Sequence, residues 1–165
     1  MWTVIKFDKK YLKSLKKDFS EKLNNGLEFY VPKIKIQKNA NNKLCNNETL
    51  LLGNYLLCFH ESFSNPNIIN TLRYCKGVKY FLNDFLNSQD EITEFVKKCK
   101  LNENNEGYIK QSFFDFKNIK RLKFISGPFT NMIFNLISES DTKIKAQIDN
   151  FKITVSKNSY LFRPV

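Results

Sequence analysis

The chain has 165 residues, which is enough for one domain or for two small ones. Hydrophobic residues make up 42% and aromatic residues 15% of it, so a packed core can form and disorder throughout the chain is excluded. The formal net charge of +11 favours a polyanionic partner, and the large excess of Lys over Arg favours phosphate contacts over the reading of base edges.

The chain begins with a short apolar run that is followed by an amphipathic segment. Residues 2–7 predict a strand, and residues 9–23 predict a helix because their apolar residues recur at intervals of three and four. Asn24-Asn25-Gly26 predicts the end of this helix, since Gly and Asn tolerate the left-handed conformation needed there. The apolar stripe consists of Leu12, Leu15, Phe19 and Leu23.

Three more strands and one loop are predicted before residue 83. Residues 27–37 predict a strand with a bend or an edge position at Pro32. The Asn-rich residues 39–47 lack apolar periodicity and predict a mobile loop or a hairpin tip. Residues 50–59 are too short and too apolar for an amphipathic helix, so they predict a buried strand, and residues 77–82 predict another strand.

Two further helices are predicted from their start signals. Asn65 before Pro66 predicts a helix start, because Asn caps free N–H groups and Pro fits the first helical position. Ser88 and Glu91 have the spacing of a capping box. The predicted buried residues are Ile68, Ile69, Leu72 and Cys75 in the first of these helices and Ile92, Phe95, Val96 and Cys99 in the second.

The order of these elements predicts an α+β domain over residues 1–100. Its β-α-β-β-α-β part is typical of a ferredoxin-like fold, in which helices cover one face of an antiparallel sheet. Residues 101–112 are polar and aperiodic and predict a linker. In residues 113–165 the apolar period changes to two, which predicts a small SH3-like barrel, and Asp149-Asn150 fits a two-residue hairpin turn. The alternating residues are Leu122, Phe124, Ile144, Ala146, Ile148, Phe151, Ile153 and Val155.

No group of residues predicts a catalytic or a metal site. The four cysteines form no Cys-x-x-Cys pair and His60 is the one histidine, so a zinc site is not expected. No paired carboxylates, P-loop or nucleophile with a base can be assembled, so we expect a protein that is not an enzyme and needs no cofactor. Because the chain has no signal-peptide pattern and no apolar run of about 18 residues, we expect a cytoplasmic protein that does not bind membranes.

Five short segments stand out in a fixed order. They are Trp2, Val31-Pro32, Leu52-Gly53-Asn54-Tyr55, Gly77-Val78 and Phe124-Ile125-Ser126-Gly127-Pro128-Phe129. In this order, over nearly the full chain, they resemble the NusG family of transcription elongation factors, and the last one resembles the opening of its KOW motif. The resemblance implies a ferredoxin-like N-terminal (NGN) domain joined by a flexible linker to a small KOW barrel.

The resemblance also implies a factor that binds RNA polymerase. In this family an apolar patch of the N-terminal domain grips the coiled coil of the polymerase clamp, bridges the DNA channel and reduces pausing or termination. Matched residue by residue, the patch here includes Leu52, Tyr55 and Leu57, with Phe85 beside the corresponding loop. The alternative is that Leu52 and Leu57 belong to the core. Strand alternation separates Leu52 from Tyr55 unless the chain bends or bulges at Gly53.

Basic side chains are concentrated on the first predicted helix. They form either a solvated face or a contact with single-stranded non-template DNA or the upstream duplex beside the clamp. Tyr11 among them either packs against the protein or stacks on a base. An AT-rich gene would also explain part of the lysine excess. The candidate nucleic-acid-binding residues are Lys9, Lys10, Lys13, Lys16, Lys17, Arg73 and Lys76.

Departures from the family pattern favour a specialised, RfaH-like branch, to which Asn54-Tyr55 is closer. Lys117-Asn118 and Thr130-Asn131 stand where the family has glycine-containing turns, and an Asn can supply the positive φ there. In that branch the C-terminal domain can instead form a helical hairpin that masks the polymerase site. Residues 132–137 fit a helical stripe as well as a strand, so the sequence leaves both forms open.

The resemblance gives the barrel two implied partners, a small-subunit ribosomal protein and the termination factor Rho. A different interpretation is an RNA-binding or ribosome-associated KOW protein that does not act on polymerase. The basic charge and the small barrel suit it, but it gives no role to residues 50–59 and 77–82. In either case we expect a monomer.

Overall fold

The structure, a computed structural model, describes residues 1–40, 43–114, 119–157 and 159–165. These residues form two compact units. The first comprises Met1–Pro32 and Leu50–Lys100, and the second comprises Lys33–Thr49 and Leu101–Val165. Residues 33–49 therefore group with the C-terminal part of the chain. The domain boundaries at residues 100 and 112 stay predictions.

The first unit is built on a four-stranded sheet. Its strands are β1 (Trp2–Phe7), β2 (Glu28–Tyr30), β5 (Tyr55–Phe59) and β6 (Val78–Phe81); between them in the chain, β3 (Lys33–Ala40) and β4 (Lys43–Leu50) pair in a sheet of their own. The spatial order is β2-β5-β1-β6, and every neighbouring pair is antiparallel. β1 therefore pairs on both sides, whereas β2 and β6 are edge strands.

Two helices cover one face of this sheet. A 3-10 turn, Lys9–Tyr11, leads into α1 (Leu12–Leu23), and α2 covers Pro66–Leu72. Burial of their apolar stripes stabilises the unit by about 25 cal/mol for each Å² removed from water. The shared core consists of Ile5, Phe7, Leu15, Phe19, Leu23, Leu56, Cys58, Phe63, Ile69, Leu72, Cys75 and Phe81.

The end of α1 and the start of α2 agree with the sequence analysis, whereas Cys75, predicted to lie in the second helix, follows the end of α2 at Leu72. The side chain of Asn65 accepts a hydrogen bond from the N–H of Asn67, as expected for a cap, and such a cap contributes about 1 kcal/mol. After α1, Asn24 has a φ of 54° and Gly26 a φ of 89°. These two positive angles reverse the chain toward β2.

The predicted strand of residues 27–37 is divided at Pro32. β2 ends before this residue and β3 begins after it, because Pro has no N–H to donate to a ladder. The Asn-rich residues 39–47 belong largely to β3 and β4, so the expected loop is shorter than its composition indicates. Asn41 and Asn42, where a hairpin tip was expected, lie outside the described residues.

The predicted strand of residues 50–59 begins later than expected, at Tyr55. Residues 51–54 form a turn in which Gly53 has a φ of 62°, and the N–H of Gly53 donates to the C=O of Leu50. The leucines of this turn are half-buried. Because these residues are apolar, the sequence pattern indicated a strand here and not a turn.

A third helix, α3 (Gln89–Leu101), is tied to the sheet at both ends. The side chain of Gln89 accepts from the N–H of Trp2 at 2.9 Å and donates to its C=O at 2.8 Å. The amide of Gln89 thus bonds to the backbone of Trp2 as a neighbouring strand would, because β6 pairs with β1 only at Ile5, Lys6 and Phe7. At the other end, Lys100 Nζ lies 2.6 Å from Glu28 Oε1 in β2.

The second unit contains a five-stranded antiparallel sheet in the order β10-β9-β8-β7-β11. Its strands are β7 (Arg121–Phe124), β8 (Ile133–Glu139), β9 (Lys143–Ile148), β10 (Phe151–Ser156) and β11 (Phe162–Pro164). Asp149-Asn150 joins β9 to β10 as predicted, since Ile148 pairs with Phe151. The alternating residues Leu122, Phe124, Ile144, Ala146 and Val155 are buried, whereas Phe151 is 75% exposed.

Phe124 is the centre of an aromatic cluster in this unit. Its ring centroid lies 4.4 Å from that of Phe134, 6.0 Å from Phe162, 5.6 Å from Phe129 and 6.4 Å from Tyr160. Aromatic pairs at such distances contribute about 0.5–1.5 kcal/mol each beyond the burial of their area. Aromatic rings from β7, β8 and β11, and from the segments that lead into β8 and β11, therefore pack in one core.

The turn from β7 to β8 depends on Gly127. This residue has a φ of 82°, and a Cβ atom on it would lie 2.1 Å from Cδ1 of Tyr160. Glycine alone fits both the conformation and the space. Further along the turn, Asn131 has a φ of 75°, which agrees with the role expected for it. Lys117-Asn118, expected to form another such turn, lies outside the described residues.

A buried glutamine lies at the β11 edge of the five-stranded sheet. Gln111 begins a short 3-10 turn and is 3% exposed. Its Oε1 accepts from the N–H of Phe162 at 2.9 Å, and its Nε2 donates to the C=O of Phe162 at 3.3 Å. The amide thus bonds to β11 in the way that a neighbouring strand would.

Residues 102–110, which belong to the predicted linker, form a hydrogen-bonded loop within the second unit. The side chain of Asn104 accepts from the N–H of Tyr108 at 2.9 Å, and the N–H of Asn104 donates to the C=O of Tyr108. The N–H of Ile109 donates to the C=O of Lys33 in β3. The loop is therefore tied to β3 through its backbone.

Within the described ranges, no helix has the length and apolar character needed to span a membrane. The same residues include no group of His, Cys, Asp and Glu arranged to hold a metal ion. Cys58, Cys75 and Cys99 are buried and Cys45 is exposed. Burial raises the pKa of the Cys58 thiol, so this cysteine acts as a small apolar core residue.

We expect Gly127→Ala to lower the free energy of unfolding of the second unit by about 2 to 5 kcal/mol, because overpacking adds to backbone strain. The matched control is Gly107→Ala, since Gly107 has a φ of 79° but no atom within 4 Å of the added Cβ. We expect the control to lose about 1 to 2 kcal/mol. Urea unfolding measures both variants, and equal losses would contradict the proposed clash with Tyr160.

Candidate partner-binding surfaces of the first unit

β1 places one lysine between two tyrosines. In the register of the sheet, Lys6 pairs with Tyr55 of β5 on one side and with Tyr80 of β6 on the other. Its neighbours Ile5 and Phe7 belong to the core under α1 and α2. Because side chains alternate along a strand, Lys6 and both tyrosines share the opposite face.

These three side chains contact one another and form what we call the Tyr55–Lys6–Tyr80 cluster. The two hydroxyl oxygens lie 2.9 Å apart, and the two rings meet edge to face with centroids 6.5 Å apart. Lys6 Nζ lies 4.0 Å from the centroid of the Tyr55 ring, a cation–π distance. Tyr80 is 46% exposed, so the cluster presents aromatic surface to solvent.

The hydrogen bond with Tyr55 raises the pKa of Tyr80 above its usual value of 10.0. Partial burial and the charge of an ionised Tyr55 act in the same direction, while Lys6 and Lys79 act against them. Tyr80 is therefore protonated throughout the physiological range. Its hydroxyl group can donate or accept a hydrogen bond to a partner.

A groove that we call the β6-edge groove runs beside the cluster. It consists of two adjoining hollows of about 500 and 460 Å³ that share Arg73, Phe81, Leu82 and Asn83. The first hollow is completed by Lys79 and Tyr80, and the second by Ile69, Asp84, Phe85, Leu86 and Asn87. Leu82 and Leu86 are 42% and 50% exposed, so apolar surface is accessible along the groove.

The four residues of the predicted apolar patch lie in different surroundings. Tyr55 belongs to the cluster, and Phe85 lines the β6-edge groove while packing against the core. Leu57 shares the face of Tyr55 but is only 2% exposed, as in the alternative that places it in the core. Leu52 is half-buried in the turn before β5. Tyr80 provides the link between Tyr55 and the groove.

Lys6, Tyr80 and Leu82 were not among the site residues predicted from the sequence. A lysine between two buried residues, Ile5 and Phe7, is a signal that its side chain lies on the outer face of a strand. Its neighbours across the sheet depend on strand order, which no local pattern contains.

The basic residues predicted to contact nucleic acid are mostly exposed. Lys16 is half-buried, with its Nζ 5.3 Å from the centroid of the Phe29 ring. Lys17 pairs with Glu21 at 3.7 Å on the surface of α1. The exposed residues of the set are Lys9, Lys10, Lys13, Lys17, Arg73 and Lys76.

Tyr11 brings two of these lysines together. Lys76 Nζ lies 4.8 Å and Lys10 Nζ 5.5 Å from the centroid of its ring. Gly77 packs directly on Tyr11, because a Cβ atom on Gly77 would lie 2.7 Å from the Tyr11 Cβ. Tyr11 therefore has a packing role, whereas Arg73 lies apart from this pair in the β6-edge groove.

His60 is buried and holds two turns together. Its Nδ1 accepts from the N–H of Ser62 at 3.2 Å, and its Nε2 lies 3.1 Å from the carbonyl oxygen of Asn25. This arrangement fits a neutral ring with the proton on Nε2. The position of His60 is that of a structural residue.

Comparison with known proteins finds no protein-family model and no curated protein that matches the chain. Among solved structures, the chain is similar to that of the MjSpt4:Spt5 complex in conformation B, with a TM-score of 0.35, 14% identity and coverage of 100% of this chain and 98% of that chain. It is also similar to Thermotoga maritima NusG in a structure on domain interaction, with a TM-score of 0.36, 15% identity and coverage of 99% and 96%.

We expect Tyr55→Phe to lower the pKa of Tyr80, because the substitution removes the hydrogen bond and the second phenol while Lys6 and Lys79 remain. A pH titration followed by NMR of tyrosine ring carbons measures the shift. The matched control is Tyr74→Phe, since Tyr74 is 91% exposed and lies outside the cluster. An unchanged Tyr80 titration in Tyr55→Phe would contradict the hydrogen bond.

The same bond makes stability depend on pH at the alkaline end. Because the pKa of Tyr80 is higher in the folded state than in the unfolded state, the hydrogen bond contributes to folding stability. This contribution is fully present below the pKa of the unfolded state, about 10, and is lost as pH rises through the pKa of the folded state. We therefore expect the stability difference between the wild type and Tyr55→Phe to be constant near neutral pH and to shrink at high pH.

Proposed function

We propose that this chain is a transcription elongation factor of the NusG type that binds the clamp of RNA polymerase and reduces pausing or termination. It acts as a clamp-binding protein without catalytic activity or a cofactor. The five sequence segments that resemble the NusG family support the assignment to this type. The observation that carries the proposal is the exposed aromatic and apolar surface made by the Tyr55–Lys6–Tyr80 cluster and the β6-edge groove.

The proposal includes a fold for each unit. The strand order β2-β5-β1-β6, with α1 and α2 on one face, supports a ferredoxin-like NGN domain. The five-stranded sheet and the tight turn at Gly127 support a KOW-type, SH3-like barrel. The specialised, RfaH-like role is supported by Asn54-Tyr55 at the start of β5.

The cluster and the groove suit a helical partner such as one helix of a coiled coil. An amphipathic helix places its apolar side chains in a groove, and a few aromatic or aliphatic anchors supply most of the binding energy. Tyr80, Leu82 and Leu86 are the exposed candidates for such anchors. Lys79 and Arg73 line the same groove and favour acidic residues at the flanks of the partner helix.

Nucleic acid is the second proposed partner of the first unit. The exposed lysines Lys9, Lys13 and Lys17 of the segment that contains α1 can contact the phosphates of non-template DNA or of the upstream duplex. The ion pair of Lys17 with Glu21 is exposed and therefore weak, so a phosphate can replace Glu21. Such contacts weaken steeply as salt concentration rises.

The second unit is proposed to bind a small-subunit ribosomal protein or Rho, as the resemblance implies. A second candidate function for the whole chain is RNA binding or ribosome association without action on polymerase. The net charge of +11 favours this candidate as much as the first. It leaves the β6-edge groove without an occupant.

We expect Tyr80→Ala to weaken binding to core RNA polymerase at least 10-fold, which corresponds to about 1.4 kcal/mol, because the substitution removes a partly exposed aromatic anchor. Tyr74→Ala is the matched control, since Tyr74 is more exposed but does not line the groove. Biolayer interferometry with immobilised core polymerase measures both. Equal affinity of the two variants would contradict the proposed surface.

The wild-type chain distinguishes the two candidate functions when the same measurement is repeated with immobilised RNA. If it binds RNA but does not bind core polymerase, the second candidate is correct and the first is wrong.

We expect residues 133–139 to keep strand conformation both in the full chain and in an isolated 113–165 fragment. β8 pairs with β7 and β9, and Phe134 is buried, so a helical hairpin would have to break both ladders. Backbone amide and carbon chemical shifts of the two samples measure this. Helical shifts in the full chain would support the fold switch that the resemblance to the specialised branch implies.

A further inference from the structure

The outer face of the five-stranded sheet carries a group of basic side chains. In β7, Leu122 and Phe124 are buried, so the alternating residues Arg121 and Lys123 face outward. The register of the sheet extends this face to the other strands, because Arg121 pairs with Asn135, Asn135 with Gln147, and Gln147 with Lys152. We call it the outer sheet face; its basic residues are Arg121, Lys123, Lys143, Lys145, Lys152 and Arg163.

These six cations are not neutralised by the sheet itself. None of them forms an ion pair within the part of the chain that the structure describes. Glu139 is the one acidic residue in strands β7 to β11, and its carboxylate pairs with Lys157. Asp149 lines a hollow with Arg121, and Asp141 lies in the turn between β8 and β9. The face as a whole is strongly positive.

One cross-strand pair on this face is unfavourable for folding. Arg163 of β11 lies directly opposite Lys123 of β7. Like charges in this position destabilise an antiparallel pair. Five of the six cations are exposed and Lys123 is half-buried, so the repulsion is only partly screened by water. A polyanion bound to the face would remove it.

The other residues of the face indicate the kind of partner. None of the described strand residues on it is aromatic, although it includes the exposed Ile133 opposite Lys123. Its polar members include Asn135, Gln147 and Thr154, whose side chains can donate to phosphate oxygens. Protein interfaces are enriched in aromatic residues and depleted of Lys, and base-stacking surfaces need exposed rings. The face matches neither of these.

We propose that the outer sheet face binds the phosphate backbone of nucleic acid with little dependence on base sequence. This goes beyond the first candidate function, which places nucleic acid on the first unit, and it gives the second candidate, RNA binding, a defined surface. Two cations stand at alternate residues, about 7 Å apart, in β7 and again in β9, and Lys123 lies about 5 Å from its partner Arg163 in β11, so several phosphates can be contacted at once. Lys side chains then contact the phosphates as point charges, and the two Arg side chains contact them as planar forks.

The experiment uses the full chain with two triple variants that remove equal charge. The first is Arg121→Gln, Lys145→Gln and Lys152→Gln on the outer sheet face. The matched control is Lys22→Gln, Lys97→Gln and Lys110→Gln, which are exposed positions elsewhere. Both lose three positive charges, and equal melting curves establish that both fold. The probes are fluorescent single-stranded DNAs of two unrelated sequences, the RNAs of the same two sequences and the corresponding duplexes.

We expect the outer-face variant to bind at least 10-fold more weakly than the wild type for more than one probe sequence. Its slope of log K against log salt should fall in magnitude by about 2 to 3, because each of the three lost phosphate contacts contributes about 0.7 to 0.9 to that slope. The control should keep the slope of the wild type. The three kinds of probe show whether RNA, single-stranded DNA or duplex is the preferred source of the backbone.

Two results would overturn the proposal. Equal weakening of the outer-face variant and the control would mean that binding follows net charge alone. Displacement of the DNA probe by polyglutamate at an equal concentration of negative charges would mean that the face binds acidic polypeptides as well as nucleic acid.

Discussion

The pairing of β1 with β5 on one side and β6 on the other is the constraint on which the first unit depends. This double register buries Ile5 and Phe7 under the two helices and at the same time sets Lys6 opposite Tyr55 and Tyr80. A slip by one residue would turn Lys6 into the core and bring its apolar neighbours to the surface. The same strand register therefore determines both the core and the candidate site.

The sequence predicted those features that depend on local backbone chemistry. Asn65-Pro66 and Asp149-Asn150 were placed correctly, because a cap and a tight turn each need particular residue types at adjacent positions. The predicted start of the strand at residues 50–59 was wrong, because a turn rich in leucine has the composition of a strand. Tyr55 was recognised from its segment, but its role as a polymerase contact stays a prediction.

What the sequence could not supply was contact between distant segments. Tyr80 and Lys6 are 74 residues apart in sequence and meet only because β6 joins the sheet beside β1. The grouping of residues 33–49 with the second unit has the same origin, since a backbone bond links Lys33 to Ile109. In the second unit, the cations of the outer sheet face are dispersed over more than forty residues of sequence and are assembled by strand order.

The bond between Gln111 and Phe162 has a consequence for how copies of the chain behave in a crowded solution. β11 is an edge strand, and the N–H and C=O of Phe162 would otherwise invite a strand from another molecule. A buried side-chain amide occupies both groups. The end of the sheet is thereby protected against edge-to-edge aggregation by a single residue rather than by an additional strand.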